Sequence, residues 1–235
     1  MGTVSVAGNG TWGDRFMGIE LQMVIGAVVG YLVGMIPTGA IVGRSLGVDL
    51  TKVGSKRIGM TNVLRTLGVR WAIVVLVGDI LKGTIAVLIV GWLFGGRPWG
   101  DVSWAQVIAA AFAVLGHTFS PLLGFKGGRG IVTGGGGLLI LSPEAFGIAF
   151  VFGVVTVATT RYMSLGSLIG TFISGATVLV QAAFFNGPTP YYLYGTVLPA
   201  FLFWAHRDNI QRLVSGTERK LSRGSRENLP DEPAP

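Results

Sequence analysis

Four short stretches of this chain gather the residue types that could bind a phosphate group. The first runs from Gly54 to Arg65 and supplies Ser55, Lys56, Arg57, Thr61, Asn62 and Arg65. The second joins Gly116-His117 to Phe125-Lys126-Gly127-Gly128-Arg129-Gly130 and Thr133. The third is Arg161 to Ser167, with Ser164 and Ser167. The fourth is His206-Arg207-Asp208-Asn209 onward, ending at Gly216-Thr217-Glu218. Glycine-exposed backbone N–H groups, hydroxyls and Arg or Lys side chains are the groups that take phosphate oxygens. The Gly127 to Gly130 turn opens a helix whose positive dipole end favours an anion. It is not a P-loop, because the G-x-x-x-x-G-K-[ST] spacing is missing. Taken singly, a basic loop, a tight turn, a capped helix start and a solvated helix end would explain the four. Their occurrence on one face points to a site.

The elements that must carry these stretches are membrane helices. Half of the 235 residues are hydrophobic and 12% are charged, where soluble domains carry about 25% charged residues. Apolar blocks recur at lengths near the ~20 residues that span a bilayer core, without the alternation of a β-barrel. The expected fold is all-α, a polytopic membrane bundle of about seven transmembrane helices. Spans are expected near 21–42, 71–94, 104–123, two helices within 131–160, 168–185 and 191–204. Ser142-Pro143-Glu144 divides the fourth from the fifth, since proline suits a first helical position. Lysine and arginine collect in the segments after spans one, three, five and seven, which places those segments in the cytoplasm. The N-terminus is then outside and the C-terminus inside. Residues 1–19 read as a short polar extension, 20–218 as one membrane domain and 219–235 as a polar, disordered tail.

The 38 glycines suit close helix approach in a membrane. There is no cysteine, so disulfide and thiol chemistry are excluded. The net charge of +7 reads as basic cytoplasmic loops; no nucleic-acid module is visible. There is no H-x-x-x-x-D box, since Leu122 follows His117 by five and Gln211 follows His206 by five. A G-x-S-x-G elbow is absent too, and two separated histidines without cysteine do not suggest a metal site. Asp79 and Lys82, three apart inside the second span, read first as a structural ion pair and second as organisers of the site.

In order and spacing the stretches resemble the bacterial acyl-phosphate:glycerol-3-phosphate acyltransferase family. The family's G-S-G-N-x-G-A-T-N-V-x-R corresponds to Gly54 to Arg65, and its D-x-x-K-G to Asp79 to Gly83. Its G-H-x-[FY]-P…F-K-G-G-K-G-V-A-T is met by Gly116 to Thr133, R-Y-x-S-L-x-S by Arg161 to Ser167, and H-R-E-N-I-x-R-L-x-x-G-x-E by His206 to Glu218. Gly34-Met35-Ile36-Pro37-Thr38-Gly39 also fits. The likeness covers about residues 24 to 218. Departures are Lys56-Arg57 for Gly-Asn, Arg129 for lysine, a proline displaced to Pro121, and Ala205 for an arginine.

The resemblance implies transfer of a fatty acyl group from acyl phosphate to the 1-hydroxyl of glycerol 3-phosphate, giving lysophosphatidic acid and phosphate. Such an enzyme sits in the bacterial plasma membrane with its site on the cytoplasmic face. It needs no cofactor, and it depends on a separate enzyme that makes acyl phosphate. Ser55, Arg65, Lys126 and His206 are the expected catalytic residues. Thr61, Asn62, His117, Gly127, Gly128, Arg129, Gly130, Thr133, Ser164, Ser167 and Asn209 are the expected substrate-binding residues. Acyl phosphate is already activated and no nucleophilic Ser or Cys stands out, so direct transfer is expected. His206, His117 or the donor's own phosphate would take the proton. Two other classes fit a one-sided basic face: a transporter of phosphorylated solutes, and an inactive lipid-binding paralogue. Secondary carriers place their sites near the midplane of inverted repeats, which this chain lacks.

Overall fold

A computed structural model describes residues 12–94 and 104–221, with side chains from residue 18 onward. Residues 1–11 of the expected extension, the turn at 97–103 and the tail beyond 221 lie outside the described residues. Every regular element among the described residues is helical. These are α1 (Trp12–Gly34), α2 (Thr38–Ser45), α3 (Met60–Thr66), α4 (Val69–Phe94), α5 (Trp104–Thr118), α6 (Ile131–Leu141), α7 (Pro143–Thr160), α8 (Met163–Phe184), α9 (Pro190–Ala205) and α10 (Arg207–Val214). Among the described residues, five stretches are long and apolar enough to cross a membrane: 18–45, α4, 104–123, α7 and α8. Their outward faces carry side chains suited to lipid, such as Phe150 and Val151 on α7 and Trp92 on α4.

The first hydrophobic run is not one helix. It breaks after Gly34 and restarts at Thr38, because Pro37 has no N–H to give and disfavours helical geometry at Ile36. The break leaves carbonyls without helical partners in an apolar setting, where each must be satisfied. Ser120 Oγ donates to Met35 O at 2.8 Å, and Lys82 Nζ donates to Ile36 O at 3.2 Å. A second proline shortens α5, whose helix ends at Thr118 before a 3-10 turn at Pro121–Leu123. The division of the 131–160 run falls at Ser142, which caps α7 by accepting from Ala145 N at 3.2 Å. Helix α8 starts earlier than its apolar run, at Met163, which puts Ser164 in its first turn.

Packing depends on small residues. Helices α1 and α5 run parallel, with Gly26, Gly30 and Gly34 seated against Ala105, Ala109 and Ala113. A Cβ on Gly30 would lie 2.2 Å from Ala109 O, and one on Gly34 2.1 Å from Ala113 O. Nothing but backbone separates the pair, as small-residue seams allow in membranes. On the far side of the bundle α7 packs antiparallel on α8 (Gly153 on Gly166), and α8 on α9 (Gly175 on Gly195). Helix α6 runs between the two groups and touches α4, α5 and α7.

The α1–α5 seam has a direct consequence. Gly30→Val should lower the thermal midpoint in detergent by an amount consistent with overpacking, about 1–3 kcal/mol or more. Gly147→Ala, where a Cβ meets nothing within 4 Å, should leave the midpoint within the ~0.5 kcal/mol expected of benign surface changes.

Candidate active site

The loop between α2 and α3 is wound around one side chain. Asn62, 2% exposed, accepts from Ser55 N at 2.9 Å and donates to Leu50 O, Val53 O and Arg57 O. Both ends of its amide are spent on the loop, so in this structure Asn62 shapes the stretch that presents Ser55. The Ser55 side chain is exposed, and Thr61 is half-buried on α3. Arg65, also on α3, donates to Arg219 O at 3.0 Å.

The second stretch folds back over the end of α5. Gly127 N donates to Thr118 O at 3.0 Å and Gly128 N to His117 O at 3.2 Å. These two amides, expected to face phosphate, are engaged by the fold. Gly128 lies against the His117 ring: a Cβ there would sit 2.0 Å from Nε2. Gly130, at φ 86, turns the chain into α6; only glycine takes that geometry without strain. Arg129 is half-buried at this turn, Lys126 is exposed, and Thr133 is fully buried one turn into α6.

The third and fourth stretches meet on Glu218. Its Oε1 accepts from Ser164 Oγ and Asn209 Nδ2, both at 2.9 Å. Its Oε2 accepts from Arg212 Nε at 2.7 Å. Gly216, at φ 70, turns the chain back after α10, and Glu218 N donates to Arg212 O at 3.1 Å. Burial raises the Glu218 pKa, but the bonds from Ser164, Asn209 and Arg212 together outweigh it and hold the carboxyl below its usual range. Glu218 was not among the expected site residues. Its one sequence signal was a carboxylate closing a basic motif.

His206 lies beside this cluster, 4% exposed, with Nδ1 at 2.8 Å from Leu202 O. A carbonyl can only accept, so Nδ1 carries the proton and Nε2 keeps its lone pair. Burial pushes the ring down to about 4, the Leu202 carbonyl opposes, and Arg129 adds to the lowering. The imidazole is therefore neutral at physiological pH. Arg129 is pushed down to about 10 by burial, then by the charges of Arg57 and Arg212. It stays protonated, and an arriving anion would relieve the repulsion among the three guanidinium groups. Among the described residues, three buried polar atoms lack a partner: Arg129 Nε, Thr133 Oγ1 and Asn209 Oδ1. Orphaned buried groups are rare because each carries a desolvation cost; all three belong to the expected site residues.

An apolar cavity of about 480 Å³ opens between α6, α7, α8 and α9, lined by Leu138, Phe146, Phe150, Tyr194 and Leu202 among others. Such a volume is ordinary for a small-molecule site. Ser167, one turn beyond Ser164, lines this cavity, apart from the Glu218 cluster.

Residues 24–216 match the family model described as glycerol-3-phosphate acyltransferase. The chain belongs to that family. It is 41% identical over 205 residues to glycerol-3-phosphate acyltransferase 1 of Deinococcus radiodurans, covering 86% of this chain and 98% of that one. It is also 41% identical over 194 residues to a glycerol-3-phosphate acyltransferase of Thermus thermophilus, covering 83% and 92%. Among solved structures it is similar to PlsY, an integral membrane glycerol 3-phosphate acyltransferase, in its glycerol 3-phosphate form. There the TM-score is 0.77 and the identity 32%, over 85% of this chain and 96% of that one. The lysophosphatidic acid form of PlsY matches with a TM-score of 0.75. With its apolar helices, the chain is a multi-pass membrane protein of this family.

Within the glycerol-3-phosphate acyltransferase family, the departures at Lys56-Arg57 now have a location. Lys56 takes a left-handed backbone, φ 55, a conformation that glycine adopts without the Cβ penalty. Arg57 turns inward and its Nη1 lies 3.5 Å from Gly127 O, linking the first stretch to the second.

His206 and Glu218 both make stability fall in acid, because each has a folded pKa below its unfolded one. His206 binds a proton more readily when unfolded (near 6.5) than when folded (about 4). Its contribution is full above pH 6.5 and falls as pH drops toward 4. Wild-type stability should thus decline by ~2 kcal/mol from pH 7 to 5 through this group, and His206→Asn should flatten that slope in thermal scans. Glu218 contributes above its unfolded pKa and loses its share as pH falls through the folded value. Glu218→Gln should lower the midpoint at pH 7, and the gap from wild type should shrink as pH falls below the usual carboxylate range.

Proposed function

We propose that this protein transfers a fatty acyl group from acyl phosphate to the 1-hydroxyl of glycerol 3-phosphate, the entry step of phospholipid synthesis. One observation carries the reading: the three orphaned polar atoms and the Arg57, Arg129 and Arg212 charges converge at the same end of the bundle, next to an apolar cavity. A molecule with a phosphate head and a hydrocarbon tail fits that pairing. Family membership, and relatives named for glycerol 3-phosphate acylation, point the same way.

In this reading Arg129 and Thr133, with Ser55, Arg65 and Lys126, hold phosphate. Asn209 Oδ1 is an acceptor for a substrate hydroxyl, while Glu218 keeps Asn209 and Ser164 in place. The acyl chain lies in the α6–α9 cavity. The 1-hydroxyl oxygen attacks the acyl carbonyl carbon, forming the new C–O bond. The bond from that carbon to the phosphate oxygen breaks, and phosphate leaves with its electron pair. The hydroxyl proton passes to His206 Nε2 or to the departing phosphate. No covalent acyl-enzyme forms. Positioning and charge stabilisation supply the rate.

Among the described residues, five stretches meet the length criterion for a span. We take α6 and α9 to cross as well, because α6 leads directly into α7 and α9 packs antiparallel on α8. Seven crossings put the N-terminus outside and the four polar stretches in the cytoplasm, where charge bias supports them. The protein then belongs to a bacterial plasma membrane and draws on an enzyme that makes acyl phosphate.

Detergent-purified protein should convert radiolabelled glycerol 3-phosphate to lysophosphatidic acid with palmitoyl phosphate and not with palmitoyl-CoA. Product from the thioester alone would reverse the donor assignment. Absence of product with folded protein would overturn the enzyme reading. Arg129→Ala should cost ~100-fold or more in kcat/KM, the scale seen on removing one preorganised charge-stabilising group.

A further inference from the structure

The Asp79–Lys82–His117 cluster lies outside the phosphate-binding set and is buried: Asp79 is 2% exposed, Lys82 and His117 4% each. Lys82 Nζ lies 2.7 Å from Asp79 Oδ1, 3.2 Å from Ile36 O and 2.5 Å from His117 Nδ1. Thr38 Oγ1 donates to the same Asp79 oxygen. An ammonium has three hydrogens and no acceptor site, and three acceptors surround this one. Nδ1 of His117 is then the acceptor of the third hydrogen, and the ring proton sits on Nε2. His206 has the reverse arrangement, with Nδ1 tied to a carbonyl.

That tautomer removes His117 as a base and gives it another task. Its ring is the surface on which Gly128 rests, and its own carbonyl and that of Thr118 receive the amides of Gly128 and Gly127. On the other side of Lys82, Gly83 abuts the carbonyl of Thr133: a Cβ there would be 2.0 Å from that oxygen. One short segment of α4 therefore touches both ends of the turn that carries Arg129. Through Lys82 and His117 it sets the loop side, and through Gly83 it sets the first turn of α6.

We propose that Asp79, Lys82 and His117 are positioning residues that fix the 127–130 turn and so aim Arg129 at the substrate phosphate. This rests on the acyl-transfer reading only for what the phosphate belongs to. Misplacing a binding group by about 1 Å can cost ~100-fold in rate, so a relay of this kind is functionally exacting even though it touches no substrate.

The test is a double-mutant cycle read by calorimetric titration of glycerol 3-phosphate onto wild type, His117→Ala, Arg129→Ala and the double variant in detergent. His117→Ala should weaken binding at least ~10-fold alone and less than ~2-fold in the Arg129→Ala background, because its effect acts through Arg129. Additive losses would reduce the cluster to a general structural role and overturn the proposal. Should Arg129→Ala bind like wild type, Arg129 is not aimed at the phosphate and the relay falls with it.

Two conservative variants, each checked for a thermal midpoint near wild type, separate the ring nitrogens whether or not His117→Ala folds. Asparagine places an acceptor where Nδ1 stands; glutamine places its amide where Nε2 stands. His117→Asn should recover most of the binding and of kcat, while His117→Gln should stay impaired. The opposite order would mean that Nε2 acts on substrate and would overturn the positioning role. Wild-type turnover with acyl phosphate, measured separately, tests the acyl-transfer reading itself, so the two can fail independently.

Discussion

The structure depends on one ammonium group. Lys82 is buried in the middle of an apolar helix, where an unpaired charge would be prohibitive. Its hydrogens go to a carboxylate on its own helix, to a carbonyl freed by the Pro37 break in the first run, and to the imidazole at the end of α5. Three chain segments far apart in sequence are thereby joined at one point. Removing one partner of such a buried pair typically costs ~3–5 kcal/mol. Burying it adds little net stability, so what it contributes is a fixed geometry.

From that point the site is assembled by groups that do not themselves meet substrate. Asn62 uses its whole amide to wind the 50–57 loop. Glu218 takes the hydrogens of Ser164, Asn209 and Arg212. His117 supports Gly128. What remains unpaired and buried among the described residues after this internal bonding is small: a guanidinium nitrogen, a hydroxyl and an amide oxygen. A site built this way keeps its polar groups oriented before ligand arrives, which is how preorganised electrostatics acts on a charged substrate.

Backbone approach governs the rest. The seams at Gly26, Gly30 and Gly34, and at Gly83, bring helices together without intervening side chains. With helices this close, shifts in α4 pass to α6 with little slack. The cavity between α6 and α9 lies beside this rigid group, where α7 packs on α8 and Leu76 and Ile80 of α4 complete the lining.

Much was legible in sequence. Low charge and long apolar blocks without a barrel's alternation dictated a helical membrane protein, since only helices and closed barrels satisfy the backbone in lipid. Ser142-Pro143 marked the α6–α7 boundary through capping chemistry, and the four polar stretches marked where the site had to be. Sequence could not show that Pro37 would free a carbonyl for Lys82, because that partner is 46 residues away. Nor could it distinguish Asn62 and the amides of Gly127 and Gly128, spent on the fold, from Arg129, Thr133 and Asn209, which keep an open valence. Residue type gives the capacity to hydrogen-bond; only the packed structure decides which bonds are already made. The same holds for the two histidines, whose tautomers follow from a lysine beside one and a carbonyl beside the other.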